Sequence, residues 1–500
     1  MNLIKNIFLF LLILFLHLHA QTGIKVPEMV GVDSTIKKFM DDWNVPGASV
    51  AISKEGRLVY ARGFGYADEN MEEELLPSHQ FRIASVSKPI TSVAILKLME
   101  QNKVNLDDKV FGSEGILNDS IYSSIRDDRV KDITIKDLLQ HTGGWDRNIG
   151  GDPMFQSLSI AAKMNVPPPP DQKVIIEYML RYNLDFSPGT QYAYSNFGYS
   201  VLGQVIEKIS GMNYEDFITK NIFETIEAYD MILGKNLLEN AAENEVYYND
   251  YDGAPLAKSI YGNGELVKNP YGGFDIEVMD SHGGWVGTAT DLIRFVLAVD
   301  GFRSRPDILS PSTINIMRTP SDVNPNYAKG WAVNNLGNWW HFGSLPGSTA
   351  LLVRTSSGQI CWSILLNYRP ENFNVFNEQL DNMMWEAVST ISTWPEHDLF
   401  DSLTVINNDE ASGKTFRLYQ NYPNPFNSTT QIAYNLNSPE HIMISVNNIL
   451  GEQIEILKDE YQPSGHHQIK WDTSSLGTGV YFIELRASKK REFIKAMLIK

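Results

Sequence analysis

Ser85 and Lys88 stand three positions apart in a stretch whose apolar residues recur at helical spacing. This spacing predicts a buried helix on which both side chains share one face, one turn apart. A serine hydroxyl becomes a nucleophile when a base removes its proton, and a lysine can be that base if burial lowers its pKa. We expect Ser85 at the helix N-terminus, where free N–H groups favour developing negative charge. The pair therefore predicts nucleophilic catalysis.

The spacing alone is not specific, because Ser34 and Lys37 repeat it. Those two residues belong to a predicted amphipathic helix over 32–43, in which Ile36 and Phe39 lie on the apolar side. A capping serine beside a surface lysine remains an alternative for either pair. The choice between them depends on other parts of the chain.

Tyr194 and Asn196 come just before a predicted helix that Gly211 closes. In an extended turn their side chains point the same way. A tyrosine there can share a proton with a serine and a lysine, and an amide can hold a substrate carbonyl. The alternative is a packed tyrosine beside a capping asparagine.

Three other stretches contribute candidate walls of a site. His141 precedes a glycine loop, and it either titrates near a site or fixes the loop. The run 339–347 predicts a strand that pairs with 350–354 and 360–367, and its Gly343 lets a substrate backbone approach. Residues 235–281 predict an irregular insertion whose tyrosines either line a groove or pack on one another.

Length and composition limit the classes of protein. A chain of 500 residues predicts two or three domains, and its net charge of −18 argues against a nucleic-acid partner. Cys361 is the single cysteine, so no intramolecular disulfide forms. We expect neither a metal nor a cofactor.

The chain is predicted to have four parts. Residues 1–20 are a predicted signal peptide, since Lys5 precedes an apolar run that is too short for a membrane span. The mature chain then has no transmembrane span. A hydrolase domain over 21–395 and a polar linker over 396–415 follow. From 416 to 500, short alternating runs between turns predict an all-β sandwich.

Residues 30–392 resemble the serine β-lactamase and penicillin-binding-protein family, in its class C, D-alanyl-D-alanine peptidase and esterase branch. Three ordered motifs carry the resemblance, at Ser85–Lys88, Tyr194–Asn196 and His341–Gly343. The resemblance implies an α+β fold, with an antiparallel sheet flanked by helices, an inserted helical subdomain, and the site between them.

The resemblance also implies the roles of the site residues. Ser85 would form an acyl-enzyme, and Lys88 and Tyr194 would handle its proton, with the choice of base left open. Asn196 would hold a substrate amide or the Lys88 side chain. The N–H groups of Ser85 and Ser344 would form an oxyanion hole.

The third motif departs from the family pattern. β-Lactamases of this family usually have Lys-Thr/Ser-Gly there, whereas this chain has His341 and Phe342. Histidine is a weaker cation at neutral pH, and phenylalanine donates no hydrogen bond. We therefore expect an esterase or a D-amino-acid peptidase, with His341, Gly343 and Ser344 binding a small ester, an amide or a peptidoglycan-type peptide.

Three alternatives remain at this point. A β-lactamase is one, and a catalytically inactive surface binding protein on the same scaffold is another. An α/β-hydrolase is disfavoured, because the chain has no Gly-x-Ser-x-Gly nucleophile elbow.

Residues 416–500 resemble the C-terminal sorting domain of type IX secretion cargo, through the run Gln-Asn-Tyr-Pro-Asn-Pro-Phe-Asn at 420–427. The resemblance implies a Bacteroidota-like bacterium. The protein would cross the inner membrane by its signal peptide and the outer membrane through the secretion machinery. It would end secreted or on the cell surface. The alternative is an ordinary β accessory or carbohydrate-binding domain.

Overall fold

The computed structural model describes residues 20–400, 416–418, 421, 424, 426–436, 439–448, 452–474, 476–487 and 490–499. The chain divides into two compact units between His397 and Asp398. The predicted signal peptide, apart from Ala20, lies outside the described residues, as does the predicted linker from 401 to 415. Within the described ranges, no helix is long and apolar enough to cross a membrane.

The helices of the first unit form where apolar residues recur every three or four positions. The first helix buries Val32, Ile36 and Met40, and it ends at Asn44 in the left-handed region, with φ at 53°. The helices are α1 (Val30–Trp43), α2 (Ser87–Glu100), α3 (Ile135–Leu139), α4 (Arg147–Gly150), α5 (Ser157–Met164), α6 (Gln172–Leu180), α7 (Asn196–Ser210), α8 (Tyr214–Ile218), α9 (Ala289–Leu297), α10 (Pro311–Arg318) and α11 (Phe373–Ser389).

The strands fall into two groups along the chain. Those of the first unit are β1 (Gln21–Thr22), β2 (Gly47–Lys54), β3 (Arg57–Gly65), β4 (Phe81–Arg82), β5 (Ile232–Leu233), β6 (Asn249–Asp250), β7 (Ala257–Lys258), β8 (Leu266–Val267), β9 (Trp285–Gly287), β10 (Ala332–Val333), β11 (Trp339–Leu345), β12 (Ser348–Arg354), β13 (Ile360–Leu366) and β14 (Tyr368–Arg369). Those of the second are β15 (Arg417–Leu418), β16 (Thr429–Leu436), β17 (Glu440–Asn447), β18 (Gln453–Gln462), β19 (Gly465–Asp472), β20 (Gly479–Ala487) and β21 (Lys490–Leu498).

A seven-stranded antiparallel sheet is the frame of the first unit, in the order β1-β3-β2-β13-β12-β11-β10. β2 and β3 form the predicted hairpin, and β11 pairs with β12. β13 pairs with β12 and β2 instead of with β11, which corrects the expectation that 360–367 would lie directly beside 339–347. Hairpins join β11 to β12 and β12 to β13, and strands joined in this way lie side by side, so β12 lies between β11 and β13.

Both faces of the sheet are covered by helices. α1 and α11 pack together on one face, where Phe39, Met40, Ile52, Trp362 and Phe376 share a core. α9 packs against the same strands β2 and β13, which are buried on both faces. The run from α3 to α8 forms the inserted helical part, and a small sheet of order β4-β9-β5 lies beside it. The predicted α+β architecture is therefore confirmed.

The second unit is all β within its described residues. It has a three-stranded sheet of order β15-β16-β19 and a four-stranded sheet of order β18-β17-β20-β21. Ile432, Tyr434, Ile444, Trp471 and Ile483 from the two sheets belong to one buried core. The alternating runs of the sequence thus form two sheets that share a core, as the pattern predicts.

Candidate active site

Ser85 lies in a 3-10 turn over Ala84–Val86 that leads directly into α2. It therefore precedes the α-helix by two residues instead of occupying its first turn. Ala84 has a left-handed backbone, with φ at 48°, which is uncommon for a residue with a side chain. Such a conformation persists only where the surroundings hold it, and positions of this kind cluster at functional sites.

Lys88 is fully buried on α2 and contacts three oxygen atoms. Its Nζ lies 3.1 Å from Ser85 Oγ, 2.7 Å from Asn196 Oδ1 and 2.8 Å from the carbonyl oxygen of His282. Burial holds the pKa of Lys88 well below its usual value, Asp152 opposes that shift, and Arg147 reinforces it. A lysine that reaches a serine in this state can serve as a base.

The other pair with serine–lysine spacing has no such partners. Ser34 Oγ donates to the carbonyl oxygens of Val30 and Gly31 within α1, and Lys37 Nζ donates to Gln21 Oε1 at 2.8 Å. Ser34 and Lys37 are therefore surface residues of an ordinary helix.

Tyr194 and Asn196 both reach Lys88 from the start of α7. Ser195 caps this helix by accepting a hydrogen bond from the N–H of Gly198, so Asn196 is the first helical residue. The Tyr194 ring centroid lies 4.8 Å from Lys88 Nζ. Burial raises the pKa of Tyr194, although the interaction of its side chain with Ser85 acts in the opposite direction. The predicted common orientation of the two side chains is present.

His141 holds the loop on which Tyr194 stands. Its Nδ1 accepts a hydrogen bond of 3.1 Å from the N–H of Ser195, and its ring centroid lies 4.3 Å from that of Tyr194. Burial keeps the pKa of His141 well below its usual value, so the imidazole is neutral. These contacts support the loop-fixing interpretation.

His341 lies on β11 and uses both ring nitrogens. Nδ1–H donates to the carbonyl oxygen of Phe342 at 2.6 Å, since a carbonyl only accepts. Nε2 is then left to accept from the Tyr327 hydroxyl at 3.1 Å. Burial and the nearby Lys88 lower the pKa of His341 to about 3, so this side chain is uncharged at neutral pH.

Gly343 and Ser344 bring β11 against the turn that carries Ser85. A Cβ atom on Gly343 would overlap the carbonyl oxygen of Ile83 and lie 3.1 Å from Ala84 Cβ. Leu345 and Ser348 flank a two-residue hairpin turn and form a hydrogen-bonded pair. Along β11, every second residue counted from Leu345 is hydrogen-bonded to β12, and Ser344 is not one of these. The N–H of Ser344 accordingly points away from β12, toward the side of β11 that β10 covers only at Trp339 and Trp340.

These side chains surround one cavity of about 720 Å³. Ser85, Tyr194, Asn196, His341 and Ser344 all line it. Its wall is rich in aromatic residues and includes two arginines, whereas it includes no aspartate or glutamate. The aromatic residues outside the motifs are Phe155, Tyr192, Phe274, Tyr327, Trp340 and Phe373.

The tyrosines of the 235–281 insertion lie elsewhere. Tyr247 and Tyr251 line a separate cavity of about 250 Å³, and the Tyr271 ring packs 5.3 Å from that of Tyr247. The tyrosines are expected either to line a groove or to pack on one another, and Tyr271 packs on Tyr247.

Three contributors were not predicted from the sequence: Arg147, Asp152 and the main-chain carbonyl of His282. Asp152 Oδ2 accepts a hydrogen bond of 2.6 Å from Asn196 Nδ2. The Arg147 guanidinium lies 4.7 Å from the Tyr194 ring centroid and 4.0 Å from Asp152. Arg147 begins the four-residue helix α4, and Asp152 caps the 3-10 turn that follows it. In segments this short, no spacing signal distinguishes the two residues from other surface charges. Among the residues that the structure describes, no group of three or more His, Cys, Asp or Glu is placed to hold a metal ion.

Comparison with known proteins identifies the two parts of the chain. The family model described as Beta-lactamase matches residues 32–380, and the model described as Secretion system C-terminal sorting domain matches residues 420–500.

The individual proteins that resemble this chain do so at low sequence identity. The chain is similar to "Protein flp" of Staphylococcus aureus (strain NCTC 8325 / PS 47), with 24% identity over 388 residues, which cover 75% of this chain and 71% of that protein. Its fold is similar to that of the D-amino acid amidase from Ochrobactrum anthropi SV3, with a TM-score of 0.55 and 20% identity over 72% of this chain and 98% of the amidase. EstCE1, described as a hydrolase with promiscuous acyltransferase activity, gives a TM-score of 0.53 and 19% identity over 73% of this chain and 98% of its own.

Proposed function

Because the chain belongs to the β-lactamase family of serine hydrolases, we propose that Ser85 attacks an ester or amide carbonyl and forms an acyl-enzyme that water then hydrolyses. The observation that carries this proposal is the set of contacts around Lys88. Two of its three neighbours, Asn196 Oδ1 and the His282 carbonyl, are oxygens that only accept hydrogen bonds. A neutral Lys88 amine donates its two N–H groups to them, and its lone pair is left facing Ser85 Oγ.

Lys88 is the better candidate for the base that activates Ser85. Its pKa lies well below the usual value, whereas burial raises the pKa of Tyr194 and keeps that phenol protonated. In the proposed sequence Lys88 takes the Ser85 proton as the Oγ–carbon bond forms. Tyr194, whose side chain interacts with that of Ser85, then passes a proton to the leaving group, and the proton on Lys88 replaces it.

The developing oxyanion would be held by main-chain N–H groups. The N–H of Ser344 points away from β12, and Ser85 supplies a second N–H from the turn beside it. Removing one donor of such a pair typically costs roughly 3–4 kcal/mol of transition-state stabilisation. The Ser344 hydroxyl is buried and has no hydrogen-bond partner among the described residues, so the proposed contact of Ser344 with substrate is through its main-chain N–H.

The uncharged third motif favours an ester over a β-lactam. His341 is neutral and both of its nitrogens are engaged, so it offers no positive charge to a β-lactam carboxylate. The aromatic wall of the cavity suits an apolar acyl or leaving group. A secreted esterase is accordingly the proposed activity.

A D-amino-acid peptidase is the second candidate, and Arg369 favours it. This arginine lines the cavity, lies 4.7 Å from the Phe373 ring, and has no carboxylate within 4.0 Å among the described residues. A guanidinium in this state can bind the carboxylate of a peptide terminus. The fold is similar to that of a D-amino acid amidase, which supports an amide bond as the bond that is cleaved.

The C-terminal sorting domain indicates export, and we propose that the protein reaches the cell surface or the medium after crossing the outer membrane. The proposed partner of this domain is the secretion machinery.

The test is a panel of a 4-nitrophenyl short-chain ester, a cephalosporin and a D-alanyl peptide, assayed on wild type, Ser85→Ala and Ser34→Ala. Acyl adducts are located by mass spectrometry. We expect ester hydrolysis and an adduct on Ser85, and we expect Ser34→Ala to behave as wild type. Ester turnover that survives in Ser85→Ala would refute the proposal, and faster cephalosporin than ester turnover would reassign it to a β-lactamase.

A further inference from the structure

Asn196 meets Lys88 with one end of its amide and Asp152 with the other. Oδ1 lies 2.7 Å from Lys88 Nζ, and Nδ2 lies 2.6 Å from Asp152 Oδ2. Amide oxygen and nitrogen look alike in outline, so only the neighbours decide which way the group faces. A carboxylate accepts and never donates, so only Nδ2 can face Asp152.

Resting on the function proposed above, we propose that Asp152 is a positioning residue that fixes the Asn196 amide so that its oxygen faces Lys88. With the amide reversed, Nδ2 would face Lys88 as a donor. A neutral lysine amine would accept that hydrogen bond with its lone pair, and the lone pair would no longer face Ser85 Oγ. The orientation of one amide thereby decides whether Lys88 can act as a base.

Asp152 is itself held in place. Its Oδ1 accepts a hydrogen bond of 3.1 Å from the N–H of Met154 and caps the short 3-10 turn over Pro153–Phe155. Its other oxygen is therefore free to serve Asn196, and the side chain is only 13% exposed. A carboxylate anchored to the main chain can hold an amide more precisely than a side chain on a flexible stem.

The location of Asp152 argues for positioning and against contact with substrate. It lines a second cavity of about 500 Å³, which shares Arg147 and Asn196 with the cavity around Ser85. It does not line the cavity around Ser85. Its influence on the reaction therefore passes through Asn196.

Asp152→Asn is the informative variant. Its Oδ1 can still cap Met154, but it presents an NH2 group where the wild type has an acceptor, so Asn196 must turn its oxygen toward residue 152. We expect kcat for the 4-nitrophenyl ester to fall about 10- to 100-fold with KM changed less than twofold. The acid limb of the kcat/KM profile should also move to lower pH, because Asp152 raises the pKa of Lys88.

Asp146→Asn is the matched control. Asp146 belongs to the same segment, caps Asn148 and lines the same second cavity, but it has no hydrogen bond with Asn196. We expect its kcat to stay within twofold of wild type. If kcat and the pH profile of Asp152→Asn were those of the wild type, the proposal for Asp152 would be overturned. If Ser85→Ala were inactive in the same assays, the proposed function of Ser85 would still stand.

The exchange of the two residues is the second test. In Asn196→Asp/Asp152→Asn, the carboxylate at 196 accepts from both Lys88 and the amide at 152, which restores the order of donors and acceptors. We expect kcat at least tenfold above that of either single variant, with the acid limb at higher pH, since a carboxylate now adjoins Lys88. A double variant no better than the singles would refute the proposal, even if Asp152→Asn alone proved too unstable to assay.

Discussion

Lys88 Nζ donates a 2.8 Å hydrogen bond to the main-chain carbonyl of His282, a residue 194 positions later in the chain. The amine is thereby anchored to the backbone as well as to the Asn196 side chain. Lys88→Met keeps the length of the side chain and removes the nitrogen. Since a positioned base typically contributes 10²- to 10⁴-fold, we expect kcat for the ester to fall by about 10³-fold. Steady-state assays check this, and a loss below tenfold would show that Lys88 is not the base.

Arg147 should shift the pH at which the enzyme becomes active. Burial is the main cause that holds the pKa of Lys88 down, and the charge of Arg147 adds to it, so Arg147→Gln raises that pKa and moves the acid limb of kcat/KM to higher pH. This shift is opposite in sign to the one expected for Asp152→Asn. Arg126→Gln is the control, because Arg126 lines only the second cavity. Equal shifts in both arginine variants would contradict the prediction.

Gly343 should tolerate no side chain. A Cβ atom there overlaps the Ile83 carbonyl beside the turn that carries Ser85, so Gly343→Ala must push β11 away from that turn. We expect a stability loss of roughly 1–3 kcal/mol and a lower kcat. Gly150→Ala serves as the control, since no heavy atom lies within 4 Å of its Cβ position. Denaturant unfolding and ester assays on both variants give the comparison.

His341 should make the first unit less stable in acid. Its pKa is about 3 in the folded protein against an ordinary value near 6.5. Between these values the unfolded chain binds a proton that the folded chain does not, so stability falls as pH falls below about 6.5. His341→Gln lacks this proton. From pH 5.5 to 4.5 the wild type should lose about 1.4 kcal/mol more than the variant. The free energy of unfolding is measured at both pH values, and an equal loss in the wild type and in His341→Gln would contradict the prediction.

Removing residues 416–500 should strand the enzyme inside the cell envelope. The sorting domain lies in a separate compact unit from the Ser85 site, so hydrolysis should persist while export stops. Ester hydrolysis is measured in the periplasmic fraction and in the medium. Continued export of the shortened chain would refute the proposed route.

The parts of the fold that could be predicted from sequence are those with a local signal. The β2–β3 hairpin and α1 follow from alternation and helical spacing within single segments. The insertion over 235–281 could not be predicted in detail. Its strands are only two residues long and its residues show no period, so tertiary contacts decide its path.

The residues of the candidate site also fall into those that have a signal in the sequence and those that have none. Ser85, Lys88 and Asn196 carry motif signals, and the structure brings them within hydrogen-bonding distance. Asp152 and Arg147 carry none, because a charge in so short a helical segment or turn looks the same in the sequence whether it faces solvent or a catalytic amide. Only the folded segment gives them partners.

The strand order of the central sheet determines how much of the chain must be present before the site can form. Residues Ala48–Lys54 of β2, near the start of the chain, pair with the whole of β13, which comes some three hundred residues later. β11, which walls the site, joins the sheet only through β12 and β13. A chain still being synthesised, or one threaded unfolded through a membrane, therefore has no assembled site until its residues around 366 are free to pair. Contacts this distant in sequence also form slowly. Hydrolysis therefore begins only after the first unit has folded, in whichever compartment that folding takes place.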